Sequence, residues 1–227
     1  LCNGVSSSLE PLIELLDETA PLYCADQKAI YTSLASFVLE EAPIPQLLGQ
    51  IQKGCILSCH LKSFFIAQRF YSKIIHSEDL LIQNIDPIMS FVGKLDGQEL
   101  RNFDTSTLQT LIDEIFRVHD WNDQLQMIAD VLLDLGFRCL RSDFVEKQLF
   151  GATVISRMAE TTGDFKGLFD SWRKCSGFEL FVINTSLHTK VIDALKPAFV
   201  KSLDGFNITL EQINTLWDRA FNAYQVD

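Results

Sequence analysis

The chain has 227 residues, with 30 acidic against 19 basic side chains and a formal net charge of −11. A nucleic-acid backbone or an anionic membrane surface needs clustered Lys and Arg, so neither is expected as a partner, whereas basic or neutral proteins are compatible. At 47% hydrophobic and 11% aromatic, with 17 Phe, the chain can bury a sizeable core and is not a disordered tail.

Helix signals run the length of the sequence. Ser8 caps a predicted helix over residues 9–18, with Pro11 in its first turn and Leu12, Leu15 and Leu16 on the inner face. A second over 26–41 carries Ile30, Leu34, Phe37 and Val38 and is stopped by Pro43 and Pro45. A short helix over 46–53 leads past Gly54 to a longer one over 56–75. Its Leu57, Leu61, Phe64, Phe65, Phe70 and Ile74 are apolar on more than one side, as a helix with two neighbours requires. Ser77 caps the next run, with Leu80, Leu81, Ile88, Phe91 and Val92 as core residues and Pro87 as a kink, and Gly93 and Gly97 mark a loop. Thr105 or Ser106 starts a helix through Leu108, Leu111, Ile112, Ile115 and Phe116. Asp120 caps another carrying Trp121, Leu125, Ile128, Leu132 and Leu135, closed by Gly136.

The stretch 142–160 is the one around which the others are expected to be arranged. Ser142 or Asp143 caps it, Asp143 and Glu146 form a capping-box pattern, and Val145, Leu149, Ala152, Ile155 and Ala159 share one face. Glu146, Lys147, Arg157 and Glu160 are left for water. Gly151 in mid-helix costs about 1 kcal/mol relative to alanine, which argues that a neighbouring backbone comes close there. Beyond it, Asp164 starts a helix through Leu168, Phe169 and Trp172, Gly177 breaks the chain before Leu180 and Ile183, and residues 187–203 are helical with a kink at Pro197. Thr209 and Gln212 box a last helix carrying Leu210, Ile213, Leu216, Trp217 and Phe221.

No run alternates with period two. The expected fold is therefore all-α: about ten antiparallel helices in one segment, 1–227, with possible sub-units 1–104 and 105–227. Trp121, Trp172 and Trp217 lie 51 and 45 residues apart. Helical repeats of the HEAT and armadillo kind take about 40 to 47 residues, so a helical array of that kind fits the spacing. The chain begins at Leu1 and is read as a segment of a longer protein, monomeric by itself.

The six cysteines, Cys2, Cys24, Cys55, Cys59, Cys139 and Cys175, are scattered through apolar helical runs rather than set in a short loop-rich framework. They read as reduced and mostly buried, which suits a cytoplasmic or nuclear location. No apolar run reaches the roughly 18 residues of a membrane span. Cys55, Cys59 and His60 invite a zinc reading, but His60 points about 100° away from the shared face of the two cysteines, and a structural zinc needs four ligands. A Cys–His nucleophile needs a third group to orient the histidine; His119 beside Asp120 is the one candidate, and Asp120 is already used as a cap. Buried thiols and no metal, cofactor or catalytic residue are therefore expected. Glu40, Glu41, Glu78 and Asp79 read as solvated helix ends, His188 as a packed or capping residue, and Phe64, Phe65 and Phe70 as a core stripe. No glycine-rich phosphate loop is present.

The run CLRSDFVEKQLFGATVISRMAE, Cys139 to Glu160, resembles the helical-repeat region of the very large ubiquitin-specific proteases of the fat-facets type. That family carries a cysteine or leucine before a helix of the form RS-x-x-x-EKRLxGxxxI, and Arg141, Ser142, Glu146, Lys147, Leu149, Gly151 and Ile155 stand in the matching places. Trp172, the pair Leu187–His188, and Leu210, Gln212, Ile213 and Trp217 continue the match, which covers residues 121–224. Gln148 replaces the usual basic residue, and 178–184 is irregular against the pattern. The parent family hydrolyses ubiquitin isopeptide bonds in a separate catalytic domain whose Cys and His boxes have no match here. The resemblance implies a non-catalytic scaffold that presents ubiquitinated substrates or other protein partners. The alternatives are a transport or adaptor solenoid unrelated to ubiquitin and, more remotely, a small helical enzyme or zinc protein using Cys55, Cys59 and His60.

Overall fold

The computed structural model describes residues 44–53, 56, 60–65, 67–68, 79–118, 121–161, 164–203 and 214. The helices expected over 9–18, 26–41 and 209–221, the Ser77 cap, and most of the 56–75 helix lie outside them. The fold is all-α, with no strand among the described residues. The chain forms two compact units, 1–122 and 123–227.

In the first unit, α1 (Ile44–Gln52) packs on α2 (Asp79–Lys94). Leu47 and Ile51 from α1, and Leu81, Ile85, Ile88, Met89 and Val92 from α2, are buried at helical spacing. Helix α2 runs on through Pro87. Asn84 is buried, and its Nδ2 donates to the Leu80 carbonyl at 2.8 Å. The expected loop around Gly97 is a short helix, α3 (Gly97–Asn102). A capping box starts it: Glu99 N donates to Asp96 Oδ1 at 2.7 Å, and Asp96 N donates to Glu99 Oε2 at 2.9 Å. The D-x-x-E spacing was the sequence signal for it.

Helix α4 (Thr105–Arg117) buries Leu108, Leu111, Ile112 and Ile115, the expected face. Its N-cap is Asp104, whose carboxylate accepts from Ser106 N, Ser106 Oγ and Thr107 Oγ1 at 2.8 to 3.1 Å. Lys62 Nζ reaches the same carboxylate at 2.6 Å, and chiefly this holds the Asp104 carboxyl well below the usual range. At the far end the Trp121 indole N–H donates to the Ile115 carbonyl at 3.0 Å. The same carbonyl accepts from the Val118 N–H at 3.3 Å, so Trp121 adds a second donor at the end of α4. It does not begin the next helix, as expected from the sequence.

The second unit is built on the 142–160 stretch. A 3-10 turn, Asn122–Gln124, leads into α5 (Leu125–Leu140), followed by α6 (Val145–Glu160), α7 (Asp164–Ser176), α8 (Phe178–Asn184) and α9 (Thr189–Leu203). Helix α6 is touched by α5, α7 and α9. It is accordingly buried on several sides, through Phe150, Gly151, Ala152, Val154, Ile155, Met158 and Ala159. Three expectations for this stretch are corrected. The helix begins at Val145 behind Phe144, with no side-chain cap, and Ser142 belongs to the preceding turn: its Oγ accepts from Phe144 N, and its carbonyl accepts from Gln148 Nε2 at 2.7 Å. Val145 is exposed, and Lys147 is buried rather than left for water.

Gly136 does not close α5, which continues one further turn to Leu140. Gly136 and Gly151 instead face each other where α5 and α6 cross. A Cβ on Gly151 would run into the Gly136 carbonyl oxygen and lie 2.6 Å from Leu140 N, and one on Gly136 would lie 3.0 Å from Ile155 Cγ1. The backbone approach argued from Gly151 is there. On the other side of α6, the buried Ser156 hydroxyl donates to the Ala194 carbonyl of α9 at 2.6 Å. This bond ties α6 to α9 one residue away from the Asp193 carbonyl, to which Pro197 has no N–H to give. Gly177, at φ 67°, turns the chain between α7 and α8 in the left-handed region. Residues 178–184, irregular against the family pattern, form the helix α8.

Trp121 and Trp172 are not equivalent: one precedes a helix, and the other lies within α7. The tryptophan spacing therefore does not mark a repeat at these two positions.

Candidate interaction surface

The C-terminal end of α5 lies beside α8. Phe137 on α5 stands edge-on to Trp172, Phe178 and Phe181, with ring centroids 5.8, 6.3 and 5.4 Å away. Phe169 and Phe199 extend this aromatic cluster, through Trp172 and Phe178 respectively. Arg141, the C-cap of α5, lays its guanidinium over two of the rings: Cζ is 5.1 Å from the Phe137 centroid and 5.8 Å from that of Phe181. Arg141 is itself exposed. A cation held over aromatic faces keeps its donors pointing outward while losing little freedom on binding.

Large apolar side chains stand exposed in this unit. Phe144 (46%) and Val145 follow Arg141 in the turn and the start of α6; Leu180 (57%) precedes Phe181 on α8; Ile192 and Val200 (59%) lie on α9. Leu180 and Ile183 follow the Gly177 break. The α8 helix buries Phe178, Val182 and Ile183 and turns Leu180 outward. The sequence pattern did not reveal Arg141 and Phe144 as surface residues, because both belong to a run that reads as packing and capping residues.

Under this surface lies a buried ion pair. Arg173, 3% exposed, has Asp170 Oδ1 at 3.5 Å and Glu179 Oε1 at 3.8 Å. Burial pushes the Glu179 carboxyl up, against its own backbone hydrogen bond and the Arg173 charge.

Cys55, Cys59, His119 and Asp120 lie outside the described residues. Cys139 is buried, and its thiol is pushed up to about 11 by desolvation, with Lys147 and Arg138 opposing, so it is held protonated. Cys175 is exposed. His188 caps α9: its Nδ1 accepts from Lys190 N at 3.2 Å, while Leu187 beside it is buried. Phe64 and Phe65 are buried edge-to-face at 5.7 Å, a core pair. Among the described residues no three His, Cys, Asp or Glu side chains converge as a metal site, and no helix is long and apolar enough to cross a membrane.

No family model, curated protein or solved structure matches the chain.

Proposed function

We propose that the chain is a non-catalytic interaction scaffold whose second unit carries the binding surface. The observation behind this reading is the exposure of Phe144, Val145, Leu180, Ile192 and Val200 around a filled aromatic and aliphatic core. Single exposed apolar residues are common, but five large ones among the described residues of this unit, two of them three and four positions after an exposed aromatic-stacked arginine, are what a protein-contact face uses. Membership of a large ubiquitin-specific protease, with the helices continuing into a HEAT- or armadillo-like array, is supported by the motif run from Cys139 to Glu160 alone. In that setting the segment presents ubiquitinated substrates or other protein partners to a catalytic domain elsewhere.

The test is NMR of the isotope-labelled chain titrated with ubiquitin and short ubiquitin chains, in parallel with the triple variant Leu180→Ser, Ile192→Ser, Val200→Ser. Shifts confined to residues around these side chains, and lost in the variant, are expected if this face recruits the ubiquitin end of a substrate. Absence of shifts at millimolar ubiquitin refutes ubiquitin as the ligand. Interaction as such is refuted if the wild type and the triple variant retain the same proteins from cell extract.

A further inference from the structure

Resting on that reading, we infer that the α5–α6 turn and α8 form a docking site for an apolar peptide segment bearing a single carboxylate, with Arg141 as the carboxylate-binding residue. Carboxylates outnumber cations by 30 to 19. Arg117, Arg138 and Arg173 each have one within 4 Å, on Glu114, Asp134 and on Asp170 with Glu179. Among the described residues Arg141 has none. Its guanidinium is instead fixed over Phe137 and Phe181, at 5.1 and 5.8 Å. That placement keeps it rigid and leaves its planar fork of donors to solvent, the arrangement that recognises a carboxylate bidentately.

The apolar part of the ligand follows from the exposed side chains next to Arg141 and Phe181 along the chain. Phe144 and Val145 stand exposed three and four residues beyond Arg141, and Leu180 stands exposed on the helix whose Phe181 carries the arginine. A ligand with one carboxylate at the arginine and apolar side chains on either side covers both features. Charge limits the rest of the partner. At −11 the chain repels a strongly acidic protein, and Asp143 and Glu146 are exposed close by in sequence. At physiological salt, charges more than about 8 Å apart are largely screened, so one carboxylate can be read locally while the partner as a whole is neutral or basic.

The test uses two fluorescein-labelled capped peptides, KLLEFLK and KLLQFLK, and fluorescence anisotropy with the full chain. General attraction to an acidic protein favours the second, more positive peptide; only a local cation favours the first. The expected result is about tenfold tighter binding of the Glu peptide, the scale of one charge-assisted contact. That preference should vanish in Arg141→Gln. Leu180→Ser should weaken both peptides while leaving their ratio intact. Equal binding, tighter binding of the Gln peptide, binding of neither, or a preference that survives Arg141→Gln overturns the inference. Failure here is separable from failure of the scaffold reading, because the Leu180, Ile192 and Val200 triple variant tests the latter without touching Arg141.

Discussion

Replacing Gly151 by alanine sets two effects of opposite sign against each other. Inside a helix, alanine is favoured over glycine by about 1 kcal/mol. At this crossing, however, the new Cβ meets the Gly136 carbonyl oxygen, Leu140 N at 2.6 Å and Cys139 Cβ at 3.1 Å. Two of those three atoms are backbone and cannot rotate aside. Reaching ordinary contact at 3.4 Å from Leu140 N alone moves α6 away from α5 by about 0.8 Å. A gap of that size forfeits a quarter to a half of the dispersion energy of each contact along the seam. That seam includes Val154 and Ile155, which lie against Gly136. Overpacking of a core costs about 1–3 kcal/mol, and backbone against backbone belongs at the upper end. The net expectation is a loss of about 2 kcal/mol, or roughly 4–8 °C in Tm for a chain of this size. The controls are Gly49→Ala and Gly167→Ala. Both lie inside helices with open space where a Cβ would sit, and both should gain up to about 1 kcal/mol. Thermal unfolding followed by circular dichroism measures all three. A Gly151→Ala protein as stable as the wild type, or more so, refutes the close crossing.

Asp104→Asn keeps an N-capping side chain but removes the charge that Lys62 approaches. The folded carboxyl lies below its ordinary 3.8, so its contribution is present above that pH and fades as pH falls through the folded value. Both partners are partly exposed, so the expected deficit of the variant at pH 7 is about 1 kcal/mol or less, shrinking towards pH 2; a deficit that stays constant across urea melts in this range contradicts it. Glu179 has the opposite sign: its carboxyl is raised, so folding takes up a proton, and the contribution is present below the ordinary 4.5 and lost as pH rises through the folded value. Glu179→Gln should flatten that slope in the same urea melts, and an unchanged slope counts against the buried placement. Ser156→Ala removes the donor to the Ala194 carbonyl and should cost about 1–2 kcal/mol in urea unfolding, whereas a cost near zero means that the bond is not formed. In iodoacetamide labelling of the native protein read by peptide mass spectrometry, Cys175 should react and Cys139 should not; equal labelling contradicts the buried, protonated thiol at 139.

The all-α class, the α4 face, the start of α7, the break at Gly177 and the central place of 142–160 within its unit were all legible in the sequence. Each depends on periodicity or on a residue's own backbone preferences, which are local properties. Gly151 is the instructive intermediate case. Its cost in a helix announced a close neighbour, but nothing in the sequence identified that neighbour as Gly136, which reads equally well as the end of α5. Caps were the least legible feature. Asp143 with Glu146 and Asp96 with Glu99 have the same spacing, yet only the second closes a box, because the first helix starts behind Phe144, which puts Glu146 at the second helical position rather than the third. The exposure of Arg141, Phe144 and Leu180 was decided by tertiary structure alone. An apolar stripe tells which residues want burial, but how many neighbours a helix receives, and therefore which of those residues stay uncovered, is fixed only when α5, α6 and α8 pack together.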